Sequence, residues 1–228
     1  MPPAAKPATK TPPKRRLFLV DDHPVVREGL ARIINLQRDM TVCGWASSAK
    51  GAPDRIVKMK PDLVIVDLAM TQGRSGIELI KELAGQQCRT PVLVLSTHDE
   101  SFYAERALHA GAKGYVMKHE PTWVLLDALR TVLAGGIHLS KPMKERILHK
   151  IAEPEASGWT EIDLLSDREI EVYRLIGEGR ATWEIAAELN LSISTIQSCR
   201  SHIKEKLRLD NASELARRAV RWICEPPT

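Results

Sequence analysis

Short apolar runs alternate with amphipathic stretches from Leu17 to the Gly135-Gly136 pair. Leu17–Val20, 40–46, Leu63–Val66, Val92–Leu95 and 113–117 read as strands. Residues 24–36, 50–59, 76–85, 101–110 and 122–134 carry apolar positions at helical spacing, such as Val26, Leu30, Ile33 and Ile34 on one face of the first. Strands that are apolar throughout are buried on both faces, and helices between them make the crossovers. The pattern therefore predicts an α/β fold over 17–136: a five-stranded parallel, doubly wound, flavodoxin-like sheet of order 2-1-3-4-5. After Gly136 the strand signals end. Residues 137–163, with Pro142, Pro154 and Gly158, read as linker. From 164 to 228 the period is helical throughout, which predicts a small all-α domain with helices over 167–178, 182–189, 193–207 and 212–221. Ser166 followed by Glu169 is a helix-start signature, and 182–207 reads as a helix-turn-helix.

Charge sharpens this division. The net charge of the 228 residues is +4, but residues 1–16 alone carry five cations, no acid and five of the fourteen prolines, so this Pro/Lys-rich tail is expected to be disordered. Residues 17–154 are net +2 and residues 155–228 net −3. Within the helical domain the sign reverses: nine acids against three arginines over 155–190, then seven cations against three acids from Ile196 to Arg221. Four scattered cysteines without a C-x-x-C suggest neither a zinc site nor a disulfide framework, and a reducing cytoplasm fits them. No apolar run approaches the ~20 residues of a membrane span, so no membrane partner is expected.

In a doubly wound sheet, ligand groups gather at the carboxyl ends of the strands. Here Asp21 and Asp22 follow the first strand, Asp67 the third, Ser96 ends the fourth and Lys118 follows the fifth. With the first and third strands adjacent, the three carboxylates converge and need a cation; oxygen-only donors of this charge suit Mg²⁺. Asp22 would mainly hold the metal with Asp21 in support. Asp67 would accept a phosphoryl group, Lys118 would pair with it, and Ser96 would hydrogen-bond the transferred group.

On Leu-Val-Asp-Asp-His-Pro (19–24), Val-Ile-Val-Asp-Leu (64–68), Val-Leu-Ser-Thr-His (94–98) and Gly-Ala-Lys-Gly-Tyr-Val-Met-Lys (111–118), the chain resembles the receiver domain of two-component response regulators. The resemblance implies that a sensor histidine kinase phosphorylates Asp67, that the backbone carbonyl of Ala69 is a further metal ligand, and that Ser96 and Tyr115 move together as a switch. Where that family has Met-Pro-Gly, this chain has Met70-Thr71-Gln72-Gly73, a less rigid loop that bears on phosphorylation lifetime.

In the helical domain, Ile193, Ile196, Cys199, Ile203 and Leu207 form the expected inward stripe of the second motif helix. The other face carries Ser194, Thr195, Gln197, Ser198, Arg200, Ser201 and Lys204. Such a face suits the major groove of double-stranded DNA. Leu-Ser-Asp-Arg-Glu-Ile-Glu-Val (165–172), Gly-Glu-Gly (177–179), Glu-Ile-Ala (184–186) and Leu-Ser-Ile-Ser-Thr-Ile (191–196) are similar to LuxR-type DNA-binding domains. The whole resembles the NarL/FixJ class of response regulators. Gln197 and Cys199 stand where those relatives usually have Lys and His. Gln197, Ser198 and Ser201 are expected near base edges, Gln197 being able to pair with adenine, and Arg200 or Lys204 near phosphate. Trp183 stands where those relatives often have Lys, and its role is open between packing on the linker or receiver and a free exposed Trp that would risk aggregation. The last helix, through Leu215, Ala216 and Ala219, is expected to supply a homodimer contact on DNA.

Other classes fit less well. An aspartyl phosphatase of similar fold needs a second Asp two residues after its nucleophile, where this chain has His23 or Pro24, and neither a G-x-G-x-x-G nor a P-loop is present. The chain is thus read as a non-enzymatic, phosphorylation-dependent transcription regulator. A regulator that binds DNA without phosphorylation control is the remaining alternative.

Overall fold

In the computed structural model, residues 13–70, 75–86, 89–152 and 161–224 are described. The apolar runs form one parallel sheet. Its strands are β1 (Arg15–Val20), β2 (Met40–Ala46), β3 (Leu63–Val66), β4 (Val92–Ser96) and β5 (Gly114–Met117), in the order β2-β1-β3-β4-β5. Between them lie α1 (Pro24–Asn35), α2 (Ala52–Met59), α3 (Gly76–Gly85) and α4 (Glu100–Ala110), with α5 (Thr122–Leu133) closing the unit. β1 starts at Arg15, inside the segment that composition assigns to the tail; Arg16 donates its backbone N–H to Asp62. Residues 1–12, most of that tail, fall outside the described residues.

Alternate strand residues serve opposite faces, as period two requires. Leu17, Leu19, Leu63, Ile65, Leu93 and Leu95 pack with Leu30 and Ile34 of α1 and with Leu125 and Leu129 of α5. Phe18, Val20, Val64, Val66, Val92 and Val94 face α2, α3 and α4, and this apolar cluster continues into the helical domain.

Within 137–163, which the sequence reads as linker, lies a helix, α6 (Lys141–Ala152). Pro142 looks like a breaker, but it occupies the first turn, where a missing N–H costs nothing. Ser140 accepts the Met143 N–H, and Met143 is buried. α6 lies along α4: Arg146 donates to the Ser101 carbonyl at 2.8 Å, and Lys150 pairs with Glu105 at 2.6 Å.

The helical domain comprises α7 (Asp167–Gly177), α8 (Thr182–Glu188), α9 (Ile193–Lys206) and α10 (Ala212–Cys224), after a 3₁₀ turn over Glu161–Leu164. The capping box at its start forms as expected: Ser166 Oγ accepts the Glu169 N–H, and Glu169 Oε2 accepts the Ser166 N–H. α7 and α10 approach closely at Gly177, where a Cβ would sit 2.6 Å from the Ala219 carbonyl oxygen. Leu215 and Ala219 face this contact and are fully buried. They offer no surface to a second chain, which corrects their expected role at a dimer interface. Ala216 is half-buried.

Candidate functional site

Pairing of β1 with β3 sets Asp21 and Asp67 side by side at the carboxyl edge of the sheet, where the Asp67 N–H donates to the Val20 carbonyl at 2.8 Å. Both carboxylates are buried, Asp67 to 2 % exposure. Lys118, after β5, reaches across with Nζ 2.7 Å from Asp67 Oδ2 and 2.8 Å from Asp21 Oδ2. Burial pushes the Asp67 carboxyl above its ordinary value, against the opposing pull of Lys118. Burial also works to lower the Lys118 ammonium, but Asp67 and Asp21 win and hold it above its usual value. The site is thus a buried ion cluster with two carboxylates sharing one cation.

Asp22 stands beside it, with Oδ1 2.8 Å from His23 Nδ1, and Asp21 Oδ1 accepts the His23 backbone N–H at 2.8 Å. One donor atom each from Asp21, Asp22, His23 and Asp67 lies within 4.8 Å of all the others. Three carboxylates at that spacing fit a hard divalent cation such as Mg²⁺. His23 is a member that the strand-end pattern does not reveal, since it caps α1 rather than ending a strand. The Ala69 N–H donates to Asp67 Oδ1 at 3.0 Å. Gly76, the first residue of α3, abuts this turn: a Cβ there would overlap the Asp67 carbonyl oxygen and sit 2.9 Å from Leu68 Cα. Residues 71–74, including Thr71, fall outside the described residues.

Ser96 is fully buried, and its Oγ accepts the His98 N–H at 3.1 Å. Tyr115 is turned inward, and its hydroxyl donates to the His98 carbonyl at 2.8 Å. The His98 ring stacks on Tyr103 of α4, centroids 4.6 Å apart. Burial, with Arg174 and Lys118 nearby, pulls the His98 imidazole down to about 4. The strand-end pattern passes over His98 because it lies two residues beyond β4.

In α9, Ser194, Thr195, Gln197, Ser198 and Ser201 are exposed, while Arg200 and Lys204 are half-buried. Ser192 caps the helix, its Oγ accepting the Thr195 N–H at 3.1 Å and lying 2.7 Å from Ser194 Oγ. Ile196, Ile203 and Leu207 face inward, but Ile193 is 51 % exposed, so the inward stripe starts one turn later than its sequence suggests. Trp183 on α8 is 64 % exposed. Among the described residues no helix is long and apolar enough to cross a membrane.

The family of response regulator receiver domains matches residues 17–130, and that of bacterial regulatory proteins of the luxR family matches residues 163–219. The oxygen regulatory protein NreC of Staphylococcus aureus is 32% identical over 210 residues, which are 90% of this chain and 97% of that protein. A two-component response regulator of the LuxR family from Aurantimonas sp. SI85-9A1 is 33% identical with a TM-score of 0.57, over 62% of this chain and all of its own. RcsB from Salmonella enterica serovar Typhimurium, bound to promoter rprA in the presence of phosphomimetic BeF3−, is 27% identical with a TM-score of 0.59, over 91% of this chain and 99% of its own.

Proposed function

This chain belongs to the two-component response regulators, with a receiver joined to a LuxR-family DNA-binding domain, and from that premise we propose that Asp67 is its phosphoacceptor and α9 its DNA-reading helix. The observation that carries the first assignment is the pairing of Lys118 with both Asp67 and Asp21. An Asp67 oxygen would bond to phosphorus as the bond from phosphorus to the imidazole nitrogen of a histidine kinase breaks, the imidazole leaving with the electron pair. Lys118 would then turn from Asp67 to a phosphoryl oxygen, and Ser96 would donate its hydroxyl to another. Asp21, Asp22, Asp67 and the Ala69 carbonyl would hold Mg²⁺, which would supply positive charge against the phosphoryl oxygens.

For α9, support comes from its exposed polar face and from the RcsB structure on promoter DNA. Gln197, Ser198 and Ser201, with Ser194 and Thr195, would approach base edges, and Arg200 and Lys204 phosphates. A homodimer on two-fold DNA would use the exposed side of α10 beside Ala216, and a regulator whose partner is DNA would work in the cytoplasm. The test is incubation with Mg²⁺ and a small phosphodonor, followed by intact mass and DNA binding. Wild type should gain one phosphoryl group and bind DNA more tightly; Asp67→Asn should do neither. An equal mass gain on Asp67→Asn would reject the assignment. DNA binding indifferent to the phosphodonor would favour constitutive binding.

A further inference from the structure

The receiver meets the DNA-binding domain along α3 and α4, and the contact centres on Asp167, the first residue of α7. Its side chain is 7 % exposed, and cations from two receiver helices hold its two oxygens. Oδ1 accepts from Arg106 Nη2 at 2.9 Å and from Arg106 Nε at 3.3 Å, and Oδ2 accepts from Lys81 Nζ at 3.0 Å. Arg106 also donates to the Leu165 carbonyl at 2.8 Å. One turn back on α4, Phe102 packs on Trp222 of α10 with centroids 4.4 Å apart, and Trp222 packs in turn on Tyr173 of α7 at 5.4 Å. The planar Arg106 fork engaging one carboxylate is a directional contact, and it fixes orientation as well as proximity.

The surfaces held at this seam are the start of α7 and the end of α10. In the same arrangement Ser194, Thr195, Gln197, Ser198 and Ser201 of α9 remain exposed, with Arg200 and Lys204 half-buried. We propose that the receiver clamps the DNA-binding domain from behind through Asp167, presenting α9 rather than covering it. The proposal rests on the reading of α9 as the DNA-binding helix. It also gives α4 a second task. The His98 ring that stacks on Tyr103 ties this helix to the loop after Ser96, so the clamp is built on the element that adjoins the acidic site.

Two alternatives separate cleanly. If the docked form hid α9, the apparent DNA affinity would be reduced by the fraction of molecules that are open, and weakening the clamp would raise it. If the docked form presents α9, weakening the clamp cannot raise affinity for a single half-site. Asp167→Asn leaves Arg106 and Lys81 without their carboxylate, and Arg106→Gln leaves buried Asp167 only the exposed Lys81, so a shift of about 100-fold toward the open form is expected.

The experiment uses the full-length, unphosphorylated chain with Asp167→Asn and, separately, Arg106→Gln, so that each side of the seam is altered once. Small-angle scattering reads the docking. Fluorescence anisotropy reads binding to a duplex carrying one half-site selected from a random pool. Both variants should show a larger radius of gyration, with half-site affinity equal to wild type or lower. A rise in affinity approaching 100-fold would overturn the proposal in favour of occlusion, and unchanged scattering in both variants would overturn the clamp. Should Asp167→Asn unfold α7, as a circular dichroism melt would show, Arg106→Gln decides alone, because it leaves the DNA-binding domain's sequence intact. Gln197→Ala in the same assay keeps the two readings apart: binding indifferent to it rejects α9 as the reading helix, while scattering still decides the clamp.

Discussion

The phenol of Tyr115 donates to the backbone carbonyl of His98 across 2.8 Å, and the backbone N–H of His98 donates to Ser96 Oγ at 3.1 Å. These two bonds fasten the end of β5 to the loop between β4 and α4, beside the acidic cluster. Tyr115→Phe keeps the ring and deletes only the hydroxyl, leaving a buried carbonyl without its donor. The expected cost is about 1–2 kcal/mol. Urea unfolding should show a lower midpoint with an unchanged slope; an unchanged midpoint would mean that the bond contributes nothing net.

Gly76 is required by proximity. A side-chain carbon there would overlap the Asp67 carbonyl oxygen and crowd Leu68 Cα, both backbone groups that cannot rotate away. Gly76→Ala should force α3 outward, destabilising the receiver by about 1–3 kcal/mol and slowing phosphorylation of Asp67. Gly85, at the far end of the same helix, has nothing within 4 Å of its would-be Cβ. Gly85→Ala should gain up to about 1 kcal/mol and leave phosphorylation untouched. Thermal melts and phosphodonor kinetics on the pair provide the comparison.

The two kinds of contact assigned to α9 differ in how they respond to salt. Lys204→Ala removes a phosphate contact, so affinity should fall uniformly over all sequences and the slope of log affinity against log salt should flatten by about 1. Gln197→Ala removes a base-reading amide, costing about 1–3 kcal/mol at its own base pair and relaxing preference there, with the salt slope unchanged. Anisotropy titrations across several salt concentrations, on the selected site and on single-base variants, distinguish the two patterns.

Much of the acidic site is legible in the sequence because a doubly wound sheet leaves little freedom. Once five apolar runs alternate with helices, every strand's carboxyl end lies on one side, and Asp21, Asp22, Asp67, Ser96 and Lys118 must gather there. Contacts between elements far apart in the chain carry no such signal. Asp167 reads as an ordinary acid in the first turn of a helix, and nothing local announces Arg106 and Lys81 as its partners. Periodicity also leaves open which neighbour an apolar stripe meets: Leu215 and Ala219 turn to α7 in their own domain, and Ile193 turns to solvent. Pro142 is ambiguous in the same way, since proline ends one helix and starts another.

Two buried groups near the domain seam set opposing pH dependences. Burial pushes the Glu171 carboxyl from 4.5 up to about 7, despite Arg168 and Arg174 and with Asp167 and Glu78 adding to the rise. Burial, with Arg174 and Lys118, pulls the His98 imidazole from 6.5 down to about 4. At Glu171 the folded state holds its proton more tightly than the unfolded chain, so stability falls as pH rises from about 4.5 to 7. At His98 the unfolded chain binds the proton more tightly, so stability falls as pH drops from about 6.5 to 4. Each contribution is about 3 kcal/mol at full extent, and between about pH 4.5 and 6.5 they oppose each other. Glu171→Gln keeps an acceptor for Arg168 and should stabilise the protein at pH 8 but not at pH 4.5, leaving a curve that rises with pH. His98→Phe keeps a ring to stack on Tyr103 and should stabilise the acid end by about 2–3 kcal/mol, leaving a curve that falls from about pH 4.5 to 7. Chemical denaturation of wild type and both variants from pH 4.5 to 8 measures the two slopes. If both variants run parallel to wild type, neither group's titration is coupled to folding.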